Sequence, residues 1–212
     1  MEEYSELDSF DQWSETYDRD VANSDGAFPF DGYENVLEAV LKQADLAYGM
    51  DVLELGAGTG NLTARLVARG CNVSSLDFSP RMLAIAREKA PEANFLQADL
   101  SGEWPDEIEN LEYDRIVSTY VFHEFEFPVK IRLLEHAICL LKEDGLVVVG
   151  DISFPNIRSR EEMRARSPDT WDEEDYWLGE DLPALRAAGL QVEYKQISSC
   201  GGVWVIQPGG ER

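Results

Sequence analysis

An apolar run followed by three alternating glycines is the part of this chain that most clearly carries chemistry. Residues 52–61 read Val-Leu-Glu-Leu-Gly-Ala-Gly-Thr-Gly-Asn, with Gly56, Gly58 and Gly60 at alternate positions. Glycine permits a tight turn and close approach of a ligand, and a helix that starts after the turn offers unpaired N–H groups. A dinucleotide-binding loop would have its third glycine at position 61, where this chain has Asn61. The spacing predicts a strand-to-helix turn beneath a nucleotide-like ligand, with a purely structural turn as the alternative.

An acidic residue follows the second predicted strand at a spacing that suits the same ligand. Asp77 lies 21 positions after Gly56. A carboxylate at the end of that strand can accept both hydrogen bonds of a ribose diol. The alternative is an acid at the start of a helix, bonded to the backbone near Ser79.

Residues beside these two positions complete the predicted nucleotide site. Asp99 follows the third predicted strand, where its carboxylate would accept from an adenine amino group, with Leu100 beside the ring. A loop carboxylate of no binding role is the alternative for Asp99. We assign Ala57 and Phe78, the neighbours of the glycines and of Asp77, to the same site.

Strands that alternate with helices would position these residues at one edge of a sheet. Such alternation predicts a mostly parallel sheet with helices on both faces. Only about four residues separate the last two strands, too few for a helical crossover, so these strands must be antiparallel. The predicted strands cover residues 51–55, 72–76, 94–97, 115–118, 146–149, 190–197 and 202–206.

The predicted organisation is a single domain, 1–212. Residues 1–31 are acidic and aromatic and predict a lid, with a short helix around residues 7–17. Residues 154–179 read as an irregular insertion that shapes a substrate pocket. The insertion carries Arg158, Arg160, Arg164 and Arg166, which either grip a substrate carboxylate or phosphate or form a solvated helix face.

Composition limits the possible partners. The net charge is −24, from 42 acidic and 18 basic residues, and such a field repels nucleic acid and anionic membranes. We see no apolar run long enough to span a membrane and no apolar secretory core near Met1, and therefore expect a cytoplasmic protein. Three widely spaced cysteines predict neither a disulfide nor a zinc site, and we expect no metal centre.

Several segments together resemble class I S-adenosylmethionine (SAM) methyltransferases, and more narrowly the YrrT-like small bacterial enzymes. The segments are 10–18 (FDQWSETYD), 52–63, 116–123 (IVSTYVFH) and 201–205 (GGVWV). The resemblance implies a Rossmann-like seven-stranded sheet with one antiparallel strand, SAM as cofactor and S-adenosylhomocysteine as product. It also implies a small-molecule substrate, because the group has been linked to methionine-to-cysteine recycling. Relatives often follow the histidine with a second one, where this chain has Glu124.

The resemblance gives further residues roles at the methionine end of SAM. Glu54 would reach the cationic amino group, directly or through water, and backbone carbonyls of Ser118 and Thr119 would meet it too. The alternative for Glu54 is a buried acid bonded to loop N–H groups, since a buried carboxylate requires a partner.

His123 is the candidate general base, because it follows the fourth strand and imidazole titrates near neutral pH. A structural histidine bonded within its loop is the alternative. Tyr17 and Trp13 would close an aromatic lid over the cofactor, and Tyr17 is also a candidate catalytic residue. The alternative is that the two rings form a hydrophobic staple, an apolar contact that stabilises the start of the N-terminal helix.

These observations lead to one hypothesis and two rivals. The hypothesis is a SAM-dependent methyltransferase, monomer or homodimer, that methylates an oxygen, nitrogen or sulfur atom of a small molecule. One rival is a protein methyltransferase, since a basic partner would suit the charge of −24. The other is a non-catalytic sensor that binds SAM or S-adenosylhomocysteine.

Overall fold

A β-sheet forms the centre of the structure, a computed structural model that describes residues 6–24, 26–172 and 174–209. The strands in the described residues are β1 Asp51–Leu55, β2 Asn72–Asp77, β3 Asn94–Gln97, β4 Tyr113–Thr119, β5 Leu141–Phe154, β6 Trp177–Leu178, β7 Leu190–Gln196 and β8 Gly201–Pro208.

The strand order explains why one edge of this sheet collects functional residues. The main path runs β3-β2-β1-β4-β5-β8-β7, and the short β6 pairs with the end of β5. Strands β1 to β5 are mutually parallel, whereas β8 is antiparallel to both β5 and β7. The mostly parallel sheet with one reversed strand is therefore confirmed. The order reverses between β1 and β4, and ligands of such sheets bind beyond the carboxyl ends of the strands at that point.

Helices cover both faces of the sheet, as the alternating pattern predicted. Along β1, Leu53 and Leu55 belong to the core on one face, and Val52 belongs to the core on the other. No helix in the described ranges is long and apolar enough to cross a membrane. The helices are α1 Glu6–Trp13, α2 Tyr17–Ala22, α3 Tyr33–Gln43, α4 Asn61–Ala68, α5 Pro80–Lys89, α6 Asp106–Glu109, α7 Phe127–Cys139, α8 Ile157–Arg166 and α9 Leu182–Ala187.

Three sequence predictions about these elements need correction. The predicted first helix ends at Trp13, and α2 begins separately at Tyr17. The insertion at 154–179 is not irregular throughout, since it holds α8 and β6, and the side chain of Asn156 caps α8 by accepting from the Ser159 N–H. Strand β5 continues to Phe154 instead of stopping at residue 149. In the added stretch two polar residues, Asp151 and Ser153, alternate with apolar ones, and both are buried because their side chains find partners inside the fold.

Candidate functional site

A cavity of about 750 Å³ opens at the carboxyl ends of β1 and β4, where the strand order reverses. Its volume lies within the range of small-molecule sites. Loops from both halves of the sheet, residues 10–33 and the insertion all contribute to its wall. The predicted site residues on that wall are Trp13, Tyr17, Gly56, Ala57, Gly58, Asp77, Phe78, Asp99, Leu100 and His123.

The glycine loop connects β1 to α4 and forms the floor of the cavity. Gly60 has a φ of +84° and caps α4, and a Cβ there would come within 2.9 Å of the Ala86 backbone. Gly58 has a φ of +51°, and a Cβ there would have no protein atom within 4 Å. The spacing of the glycines thus serves two needs: close packing of α4 on α5, and open space for a ligand above Gly58.

Asp77 ends β2 and is almost fully buried beside the glycine loop. Its Oδ2 accepts from the Gly58 N–H at 2.7 Å, and its Oδ1 accepts from the Ser79 N–H at 2.9 Å. Burial raises the pKa of Asp77, against these backbone hydrogen bonds. The backbone contacts considered from sequence are therefore present, but each carboxylate oxygen has a second lone pair for a ligand. Asp77 both holds the loop and faces the cavity.

Asp99 and Leu100 lie on the cavity wall as the spacing predicted. Asp99 is exposed, and its Oδ1 accepts from both the N–H and the hydroxyl of Ser101, at 2.8 and 2.7 Å. The local turn that was the alternative for Asp99 is thus formed. Its role toward an adenine group stays a prediction.

Glu54 and Ser118 do not line the cavity wall, so the roles predicted for the Glu54 carboxylate, directly or through water, and for the Ser118 carbonyl stay predictions. The Oε2 of Glu54 accepts from the hydroxyls of Thr63 on α4 and Ser75 on β2, and burial raises the Glu54 pKa to about 7. The Ser118 hydroxyl donates to the Leu55 carbonyl at 2.7 Å. Both side chains point into the protein and brace the strand ends that carry the loop. Sequence spacing placed them at the correct edge but could not give their direction.

Aromatic side chains from the N-terminal segment roof the cavity. We call residues 6–24 and 26–31 the lid. Trp13 and Tyr17 pack edge to face at 4.8 Å, and each ring contacts that of Phe30. Burial, with a smaller contribution from Tyr33, raises the pKa of Tyr17 well above its usual value. Tyr17 therefore keeps its proton, so it can donate a hydrogen bond but cannot serve as a base.

Two carboxylates of the lid bind it to the glycine loop and to α5, an arrangement that was not predicted from the sequence. Asp18 accepts from the Thr59 hydroxyl at 2.6 Å, from the Asn61 amide at 3.0 Å and from the Lys89 ammonium at 2.5 Å. Asp11 accepts from the Ser79 hydroxyl at 2.5 Å. These contacts join residues 41 to 71 positions apart, so no local sequence signal could reveal them.

His123 lies on the opposite side of the cavity, in the turn after β4, and Asp151 of β5 fixes its orientation. The Asp151 Oδ1 lies 2.6 Å from His123 Nδ1, and its Oδ2 accepts from the His123 N–H at 2.9 Å. Asp151 is fully buried. Burial acts to lower the His123 pKa, but the carboxylates of Asp151 and Glu124 outweigh it and raise that pKa to about 10. Both ring nitrogens of His123 therefore carry a proton at neutral pH. The ring can act as a base only after Nε2 has lost its proton.

Carboxylates surround the free side of the His123 ring. His123 Nε2 lies 3.4 Å from Glu124 Oε1. Glu174, from the insertion, joins them on the wall, and burial together with the charge of Glu124 raises its pKa to about 7. Glu126 and Asp172 complete the acidic side of the wall. Neither Asp151 nor Glu174 was predicted from the sequence; Asp151 comes two positions after the apolar run 146–149, a spacing close to the one that identified Asp77.

The arginines of the insertion do not contribute to this site. Within the described residues, none of the four lines the cavity. Arg158 pairs with Glu162 at 2.8 Å and Arg160 pairs with Glu161 at 2.8 Å along α8. The solvated helix face is therefore the alternative that the structure supports, and a substrate carboxylate or phosphate finds no arginine here.

Sequence comparisons match this chain to methyltransferases. The family described as "Methyltransferase domain" matches residues 52–145. An uncharacterized methyltransferase from Geobacillus kaustophilus is 34% identical over 213 residues, which cover 95% of this chain and 95% of the relative. One from Bacillus cytotoxicus is 38% identical over 153 residues, covering 68% and 66%.

Solved structures with the same fold give a consistent result. DhpI in complex with SAH has a TM-score of 0.74 at 18% identity, covering 97% of this chain and 96% of that one. A putative methyltransferase from Haloferax volcanii, solved with the Trm112 methyltransferase activator, has a TM-score of 0.73 at 19% identity, covering 98% and 99%. At these identities the likeness establishes the fold alone.

Proposed function

This chain belongs to the class I SAM-dependent methyltransferases, whose cofactor is SAM, and we propose that it methylates an oxygen, nitrogen or sulfur atom of a small molecule. One observation carries the proposal: a single roofed cavity runs from the glycine loop and Asp77 to His123. A roof of lid aromatics favours a small acceptor over the surface of a protein. The cytoplasmic location and the choice between monomer and homodimer stay predictions.

The residues present fit the cofactor. The space above Gly58 that a Cβ would enter is open. The adjoining floor carries the start of α4, where the N-cap Gly60 supplies no side-chain hydrogen bond and backbone N–H groups would meet a ligand. Asp77 would take the ribose through its remaining lone pairs, and Asp99 and Leu100 would take the adenine. When bound, SAM supplies a methyl group already activated on a sulfonium, and S-adenosylhomocysteine is released after transfer.

The protein would align the acceptor with the methyl group, exclude water from the cavity and supply charged side chains. The lid rings of Trp13 and Tyr17 would exclude water and present aromatic faces to the cationic sulfonium. Since the methyl group is already activated, alignment of the acceptor with it supplies much of the rate. His123 faces the same cavity, with its Nε2 toward the space left for the acceptor. We propose that Nε2 meets the acceptor atom.

The test is to incubate the protein with methyl-labelled SAM and an extract of its own source, and to separate the products by size. Label in the small-molecule fraction is the expected result, with the Asp77→Ala variant as the inactive control. Label retained on macromolecules would replace the proposal with protein methylation. SAM binding without any label transfer would favour the sensor.

Gly58→Ala is expected to reduce SAM affinity at least tenfold while the protein stays folded. The new methyl group would enter the open space above the loop, and a non-glycine residue at this φ costs about 1–2 kcal/mol. Isothermal titration with SAM measures the affinity, and thermal unfolding measures the stability. Gly49→Ala is the matched control, because Gly49 has a φ of +82°, equally open space and a position outside the cavity wall. Equal SAM affinity in both variants would contradict the placement of the cofactor.

Asp18→Ala is expected to speed SAM dissociation by roughly tenfold, since it removes hydrogen bonds each worth about 1 kcal/mol. The three partners of Asp18 lie on or beside the cofactor loop, so the lid would open more often. Stopped-flow competition with excess S-adenosylhomocysteine measures the rate. Glu15→Ala, which changes an exposed side chain in the turn between α1 and α2, should leave the rate unchanged. A rate equal to that of the unmodified protein would show that the lid contacts do not control release.

A further inference from the structure

We propose that His123, Glu124 and Glu174 form a binding site for a divalent transition-metal ion at the acceptor end of the cavity. The three side chains each offer one ligand atom, and these atoms all lie within 4.8 Å of one another. His123 Nε2 and Glu124 Oε1 are 3.4 Å apart, close to the separation of two ligands that share one ion at about 2.1 Å each. The three residues come from two separate segments, the turn after β4 and the insertion.

The orientation of the histidine is a second observation that points to a metal. A histidine that binds a metal usually directs its other ring nitrogen to a carboxylate, which fixes the ring and its tautomer. Asp151 has this position here, at 2.6 Å from Nδ1, and its second oxygen accepts from the His123 backbone N–H. Asp151 is fully buried, so the ring is held from behind and Nε2 is left for the cavity.

Other cations in the described part of the chain do not meet these carboxylates. Apart from His123, the cavity wall contains no basic side chain among the described residues. The nearby Lys130 donates to the Asp175 carbonyl, and its ammonium lies 5.0 Å from the centre of the Trp177 ring. Among the described residues, the His123 ring is therefore the one cationic group that meets the Glu124 and Glu174 carboxylates, and a metal ion there would take the place of the proton on Nε2.

The donor set selects the kind of ion. One imidazole nitrogen and two carboxylate oxygens suit Zn²⁺, Mn²⁺ or Fe²⁺, whereas Mg²⁺ and Ca²⁺ prefer oxygen alone. Three protein ligands leave at least one coordination position open, as in catalytic sites. An acceptor hydroxyl or thiol could fill that position. This use of the metal rests on the proposed methyl transfer, whereas metal binding itself does not.

The experiment is a metal titration of the whole chain, with any purification tag removed and the protein stripped with a chelator. Calorimetry with Zn²⁺ and, separately, Mn²⁺ is expected to show one saturable site. Glu174→Gln should weaken binding at least tenfold. Asp151→Asn should weaken it by about 10–100-fold, as loss of a supporting carboxylate does elsewhere. Asp172→Asn is the matched control: it removes a nearby charge from the same segment outside the ligand set, so affinity should change less than twofold.

The outcomes separate the metal proposal from the proposed function. SAM binding is measured on the same samples, which shows that each variant is folded. SAM binding with no saturable metal site would overturn the metal proposal and leave the methyltransferase proposal intact. Equal metal affinity in Glu174→Gln and the unmodified protein would overturn it too. Equal losses in Asp172→Asn and Glu174→Gln would show attraction to an acidic wall and no defined site.

Discussion

Replacing Asp77 with alanine is expected to weaken SAM binding by roughly 10²–10⁴-fold. Two hydrogen bonds from a ribose diol to a carboxylate are worth about 1.5–3 kcal/mol each. The same carboxylate also accepts from the Gly58 N–H at 2.7 Å and the Ser79 N–H at 2.9 Å, so its loss leaves two loop donors without their partner. Calorimetry with SAM measures the effect, and Asp99→Ala, an exposed position on the same wall, should lose much less.

A cofactor analogue separates the two roles of Asp77. The unmodified protein should bind 2′-deoxy-S-adenosylhomocysteine more weakly than S-adenosylhomocysteine, since the analogue lacks one ribose hydroxyl. Asp77→Ala should bind both ligands equally. Once the carboxylate has been removed, loss of the ribose hydroxyl that it would contact has no further effect. If the variant still distinguishes the two ligands as strongly as the unmodified protein, the ribose contact belongs to another residue.

The fold and the positions of the glycine loop and Asp77 at one edge of the sheet could be predicted because their signals are local. Gly60, which caps α4, and Gly58, which borders open space, both stand a few positions after an apolar run. That arrangement is visible in the sequence alone. Asp77 follows its strand directly, and parallel strands bring such ends to one edge of the sheet. Spacing along the chain was therefore enough to place Gly58 and Asp77 on one wall, whereas Gly60 lies outside that wall and packs α4 on α5.

The acceptor end could not be predicted in the same way, since its contacts join distant segments. Asp151 lies 28 positions from His123, and it follows an apolar run that seemed complete before the strand reached it. The strand continues because its polar groups are satisfied within the fold: Asp151 by His123, and Ser153 by the Trp204 indole N–H at 3.0 Å. Hydrophobic pattern measures burial only for apolar residues, so buried polar strand positions escape it.

Direction is a second limit of sequence reasoning. Glu54 precedes the glycine loop by two positions, which suggested contact with the cofactor, but its carboxylate lies between α4 and β2. Successive residues of a strand point to opposite faces of the sheet, so an error of one position decides whether a side chain is assigned to the ligand site or to the protein core. Glu54 acts on the site indirectly, because it joins the start of α4 to the neighbouring strand.

His123→Asn is expected to lower the rate of methyl transfer by roughly 10²–10⁴-fold, the usual range for a residue that handles a proton in the reaction. The asparagine amide can replace Nδ1 as the partner of Asp151, whereas nothing replaces Nε2 at the cavity. SAM affinity should therefore stay within twofold, because the contacts of His123 are with Asp151 and Glu124 and not with the glycine loop. Label transfer to the small-molecule fraction of the extract measures the rate.

The other histidine provides the matched control for this substitution. His136 stacks on Trp104 at 4.1 Å and pairs with Glu109 at 2.8 Å, outside the cavity wall, so His136→Asn should leave methyl transfer unchanged. An unchanged rate in His123→Asn would make His123 a structural histidine, the alternative raised by the sequence. A large loss of rate fits either a proton acceptor or a metal ligand. Glu174→Gln distinguishes the two, since it removes a ligand while leaving His123 and Asp151 in place: lost metal binding together with lost turnover would assign the effect of His123 to the metal.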